Sequence, residues 1–216
     1  MTEQGSLLRL LTWLSPAFPT GGFAYSHGIE WATESGDVRD GETLREWLSD
    51  VLRHGAGRSD AILLRHAHRS GAEAEPLAGL AELAAAAAPG RERKIETTAQ
   101  GMAFLRAAEP WTSKALGTLP YPVAVGALAG VHGIPEDDAA LAYLNAFTSN
   151  LISAAVRLVP LGQSTGLAVL AALEPTLLAV TAATRGGTLD DIGGCVFRAD
   201  IASMRHETQY TRLFRS

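Results

Sequence analysis

Ser26 and His27 are the first pair in this chain that reads as chemistry. Ala24-Tyr25-Ser26-His27-Gly28 is a near match to the G-x-S-x-G turn that presents a hydrolase nucleophile. Such a turn needs a buried strand leading into the serine. Residues 16–22 contain Pro16, Pro19, Gly21 and Gly22 and cannot be that strand, and no alternation of strand and helix patterns follows. Hydrolysis through Ser26 is therefore a remote alternative, and the serine reads better as a polar residue in the first turns of a helix.

Metal chemistry is thin as well. His66 and His68 are two apart, which on a helix separates them by about 200°, so they read as solvated helix residues. His27 and Glu30 share a face at i and i+3, and His206 stands beside Glu207, but two ligands do not make a site. His54 and His132 read as capping or packing residues. Cys195 reads as a small core residue whose thiol is also compatible with transient soft-metal contact. A single cysteine excludes an internal disulfide and fits a reducing compartment. Gly162-Gln163-Ser164-Thr165-Gly166 lacks the lysine and the frame of a phosphate-binding loop, so the chain is no P-loop GTPase. No catalytic residue, resident metal or cofactor is expected.

What remains points to contacts with other proteins. Residues 15–30, S-P-A-F-P-T-G-G-F-A-Y-S-H-G-I-E, hold two prolines, three glycines and three aromatics where a connector would be polar. Phe18, Phe23 and Tyr25 either enter the chain's own core or face a partner. The last stretch, residues 206–216, interleaves Tyr210, Leu213 and Phe214 with Arg212 and Arg215, the residue types enriched at interface hot spots. It reads either as a docking tail or as a final turn folded back on the core.

These segments need a scaffold, and the scaffold is helical. Leu44, Trp47, Leu48, Val51 and Leu52 line one helix face. Its cap is either Asp40 or a Thr43–Glu46 box. Further helices are expected near 7–14, 24–35, 58–70, 77–88, 92–107, 121–132, 136–158, 165–173, 176–184 and 189–206, with Pro175 among the residues that keep neighbours from fusing. In the helix near 136–158, Leu141, Leu144, Thr148, Leu151, Ile152, Ala155 and Leu158 form one stripe. Ala146, Ser149, Asn150, Ser153 and Arg157 form a second, of small and polar residues, to be enclosed by the fold or by a second copy of the chain. The expected class is all-α, a single-domain bundle of about ten helices over residues 1–216.

A net charge of −5 with scattered cations gives no nucleic-acid footprint. The longest uncharged run, residues 115–135, has three prolines and four glycines and does not read as a membrane span. No signal peptide is visible.

Several stretches in order resemble the urease accessory protein UreF family. They are S-P-A-F-P-T-G-G-F-A-Y-S-H-G-I-E-W-A at 15–32, Y-P-V-A-V-G at 121–126, N-L-I-S-A-A-V-R-L-V-P-L-G-Q at 150–163 and S-M-R-H-E-T-Q-Y-T-R-L-F-R-S at 203–216. Thr211-Arg212 stands where many relatives carry Ser-Arg. The resemblance implies an all-helical, non-enzymatic, cytoplasmic chaperone for nickel insertion into apo-urease. It further implies a homodimer that binds UreD (UreH in some organisms) and, with it, recruits the GTPase UreG. By position it assigns Glu30, Arg157 and Gln163 to the UreG side and Tyr210, Arg212, Leu213, Phe214 and Arg215 to the UreD side. It also assigns Tyr143 to a dimer contact. Two roles stay open: a passive adaptor, or a regulator of GTP hydrolysis by UreG with Arg157 as an arginine finger.

Overall fold

The computed structural model describes residues 2–112 and 114–216, and among these the chain is all-α, with no strand. Its helices are α1 (Glu3–Trp13), α2 (Ile29–Glu34), α3 (Gly41–His54), α4 (Ala56–Ser70), α5 (Ala74–Ala86), α6 (Arg91–Ala107), α7 (Tyr121–Val131), α8 (Glu136–Leu158), α9 (Gly162–Ala183) and α10 (Phe197–His206). The amphipathic helix found by periodicity is α3, and its cap is Asp40. The Asp40 carboxylate accepts from the Thr43 amide at 2.8 Å, and Thr43 Oγ1 accepts from the Asp40 amide at 3.1 Å.

The core has two lobes that share α4 and α8. One gathers Trp13, Leu64, Phe104, Leu128 and Tyr143. The other gathers Ile29, Leu48, Leu151, Leu173 and Val180. α8 contributes Tyr143 to the first and Leu144, Leu151 and Ile152 to the second, so it is the common wall. α4 and α7 approach so closely because Gly126 and Gly130 carry no side chain. A Cβ on either would stand 2.1 Å from a backbone oxygen, that of Leu64 or His68. Arg65, 1 % exposed, ties three helices together by donating to Glu136 Oε1 (2.7 Å), the Thr181 carbonyl (2.7 Å) and Thr184 Oγ1 (3.2 Å).

Three expectations are corrected. Pro175 lies inside one continuous helix, α9, rather than between two. It is exposed, while Val169, Leu173, Leu177 and Val180 bury the opposite face, and that packing offsets the hydrogen bond the proline cannot donate. The helix expected at 24–35 shrinks to Ile29–Glu34, because His27 (φ 55°) and Gly28 (φ 80°) turn the chain left-handed just before it. The last helix starts at Phe197 rather than near 189, since Gly194 is pressed against α3, where a Cβ would stand 2.0 Å from the His54 carbonyl oxygen. By length and composition α8 and α9 could each cross a membrane, but half of the apolar window of α8 is buried inside this fold.

Candidate functional site: a clasped tail

Residues 207–216 return across the start of the chain and are held mainly by their backbone. The Arg215 amide donates to the Ala24 carbonyl at 2.8 Å, and the Ser26 amide donates to the Ser216 carbonyl at 2.6 Å. The Ser26 hydroxyl donates to that same oxygen. Glu30 completes the seat. Its Oε1 accepts from the Leu213 amide at 2.6 Å and its Oε2 from the Phe214 amide at 2.9 Å, across some 183 residues of sequence. The turn at His27 and Gly28 makes room for this, since a Cβ on Gly28 would stand 2.7 Å from the Ser203 amide of α10.

Beneath the tail lies a buried polar network. His206, with its side chain 0 % exposed, places Nε2 3.1 Å from Glu30 Oε2 and Nδ1 2.7 Å from Glu92 Oε2. Arg212 donates to Glu92 Oε1 at 2.7 Å. Next to it, Arg93 bridges Asp60 (2.6 Å) and Glu96 (3.0 Å), and Ser216 Oγ donates to Glu96 Oε2 at 2.9 Å. Burial alone would push the Glu96 carboxyl up. Arg93, with the His27 ring 3.8 Å away and a hydrogen bond from Ser216, outweighs it and holds Glu96 down at about 2.

The aromatic segment 15–30 divides its side chains. Phe18 packs on Phe104 (centroids 5.6 Å) and Trp111 (6.2 Å), Tyr25 is buried, and Phe23 is 73 % exposed. The small-residue face of α8 is covered only in part by the chain itself: Ala146, Ser149 and Asn150 are half-buried along a cleft of about 350 Å³ beside residues 14–23, and Ser153 at its edge is exposed.

The residues singled out from sequence fall into distinct settings. Phe214 is buried, while Tyr210 and Leu213 point outward, Leu213 at 67 % exposure. Arg212 and Arg215 are exposed. Arg157 lies on the surface with its guanidinium 4.3 Å from the Phe214 ring centroid, and it donates to the Phe23 carbonyl at 2.8 Å. Gln163 is exposed at the start of α9. Glu30 is buried beneath the tail. Tyr143 requires a correction: it is 1 % exposed, with its hydroxyl donating to Asp60 at 2.7 Å, so it is a core residue of one chain and not a surface dimer contact. Burial, together with Asp60, pushes that hydroxyl well above its usual range and keeps the donor proton in place.

Ser26 is fully buried and committed to the tail, which leaves it in no position to attack a substrate. His66 and His68 are not solvated but half-buried, each against a backbone oxygen, that of Gly187 (3.0 Å) or Ile134 (2.7 Å). His132 packs on Trp13 with ring centroids 5.3 Å apart. Cys195 is exposed rather than in the core. Among the described residues no three His, Cys, Asp or Glu side chains are grouped to hold a metal ion. Sequence reasoning missed Glu92, Glu96, Asp60 and Arg93. Glu92, Arg93 and Glu96 gave only a weak signal, a run of charges from Arg91 to Glu96, and Asp60 lies outside it on α4.

An all-α chain that commits a buried polar network to seating its own tail, and leaves Tyr210, Leu213 and Arg215 of that tail facing outward, has the make-up of a protein that works by binding other proteins. Residues 38–174, more than half of the chain, match the family model described as UreF. The chain is 55 % identical to the urease accessory protein UreF of Bradyrhizobium sp. strain BTAi1, over all of this chain and 95 % of the relative. It is 52 % identical to that of Rhodopseudomonas palustris strain BisB5, over 99 % and 93 % of the two chains. It is 50 % identical to that of Methylorubrum populi, over 97 % and 98 %. The chain belongs to the UreF family of urease accessory proteins and is not an enzyme.

Proposed function

We propose that this chain is a scaffold for nickel insertion into apo-urease in the cytoplasm, joining UreD (UreH) to the GTPase UreG. The observation that carries this reading is the seated tail. Its backbone is fixed by Glu30, Ser26 and Ala24 while Tyr210 and Leu213 are presented outward. Such pre-ordering lowers the entropic cost of docking. Tyr210, Leu213 and Arg215, on the backbone held through Phe214 and Arg212, form the UreD-facing surface. Arg157 and Gln163 form the UreG-facing one.

A homodimer belongs to the same reading. Its contact is not Tyr143 but the apolar groove of about 730 Å³ between α1, α8 and α9, lined by Leu7, Leu11, Leu14, Leu141 and Leu178. Leu7, Leu11 and Leu178 are each more than half exposed, and a second copy is the natural cover for an uncovered leucine face.

Between adaptor and GTPase regulator, the adaptor is favoured. Arg157 already stacks on Phe214 and bonds to the Phe23 carbonyl, so reaching into another protein's active site would break both contacts. Arg157→Ala separates the two roles in single-turnover GTP hydrolysis with all UreG bound. For an adaptor, UreG binding weakens and the bound rate stays within about twofold. A rate change of about tenfold, or ~1.4 kcal/mol of barrier, with binding intact, identifies a regulator.

A further inference from the structure

We propose that the outer face of α6 is a docking surface for a protein partner in urease maturation, one whose own surface offers an apolar strip bordered by carboxylates. Arg91, Lys94 and Arg106 supply the cations of this face, and the exposed Ile95 and Met102 supply its apolar centre. The proposal rests on the reading of the chain as a scaffold and adds a surface separate from its tail.

These five side chains fall at i, i+3, i+4, i+11 and i+15, which on an α-helix returns them to one side. The helix sorts its charges by direction. Glu92, Arg93 and Glu96 turn inward, and among the described residues they make every ion pair of α6. What is left facing outward is cationic only and carries no carboxylate partner among those residues. Protein surfaces ordinarily intersperse both signs, and a chain of net charge −5 has carboxylates to spare. A stripe of cations around an apolar centre is therefore a local departure from the character of the whole chain.

The face is also rigid. α6 is held from behind at Gly101, where a Cβ would stand 1.9 Å from the Leu119 carbonyl oxygen, and Thr97 Oγ1 accepts from the Tyr121 amide at 3.3 Å. The helix cannot roll to present another side, so a partner must match this one as it stands, and docking costs little ordering. At 1.5 Å per residue, Ile95 and Met102 lie about 10 Å apart along the axis and Arg91 and Arg106 about 22 Å apart. The complementary surface is an apolar strip about 10 Å long with acidic groups at both ends, an arrangement in which charge speeds encounter and fixes register. A lipid surface fits less well, because two large apolar side chains on a helix that cannot rotate leave little to insert.

Lys94 is one of only two lysines in the chain, so amine labelling read by mass spectrometry reports cover of this face directly. Labelling is measured on the wild-type chain alone and with UreD, UreG or the urease apoprotein. The affinity for each protein is then compared with that of Lys94→Glu, Ile95→Ser, Arg106→Glu and, on α3, Arg45→Glu, with helicity checked by circular dichroism. One of the three proteins slows labelling of Lys94 by at least about tenfold and binds each α6 variant at least about tenfold more weakly at low salt, while Arg45→Glu binds as wild type. Wild-type binding with Lys94 labelled at its free rate, or folded α6 variants that bind like wild type, overturns the proposal. Two other covers also overturn it: slowed labelling with phosphatidylglycerol vesicles in place of protein, or slowed labelling of the chain alone as its mass doubles in light scattering. If the wild type binds none of the three proteins, the scaffold reading itself fails and this surface falls with it.

Discussion

Tyr143 shows how one buried hydroxyl can be mistaken for an interface. From sequence it lies on a helix with an unusual second face. In the structure it donates to Asp60, which also accepts from Arg93. Tyr143→Phe leaves that carboxylate one donor short and should lower unfolding stability by about 1–3 kcal/mol in urea titration, with no change in molecular mass by light scattering. Glu96 makes the same network sensitive to acid. Its folded value is held near 2 against an ordinary 4.5, so its stabilisation is present above about pH 4.5 and is lost as pH falls toward 2. Urea midpoints should therefore drop steeply below pH 4.5, and less steeply in Glu96→Gln. The tail partners of Glu30 and Glu96, Leu213, Phe214 and Ser216, were not legible in the sequence, because each lies more than 100 residues away and no local periodicity encodes such a pairing.

At the scale of elements, most of the fold could be read directly. The stripe of α3, the long α8 and the proline start of α7 each follow from spacing and turn residues. The exceptions are places where packing overrode a local signal, as it did at Pro175 inside α9, or where an unusual backbone angle cut a helix short, as at His27 and Gly28. Tertiary contact also explains Gly126, which looks like a weak point in a helix and is instead the contact point of α4 and α7. Gly126→Ala would drive a methyl to 2.1 Å from the Leu64 carbonyl oxygen, so the helices must separate. A loss of about 3 kcal/mol or more in thermal or urea unfolding is expected. A neutral result would show that α4 and α7 can slide apart freely.

For the molecule as a whole, the tail and the segment 15–30 form one unit assembled from the two ends of a chain that family membership makes a urease accessory protein. The sequence showed that both segments were unusual. It did not show that they were unusual for each other, with Glu30 under the tail and Arg157 across Phe214. The scaffold reading stands or falls on this unit, and deleting residues 212–216 is its most direct test. The truncated chain is co-expressed with UreD, and its helicity is measured by circular dichroism alongside co-purification. Loss of UreD with helicity retained is the expected result, whereas undiminished UreD capture by the truncated chain contradicts a scaffold that binds through its tail.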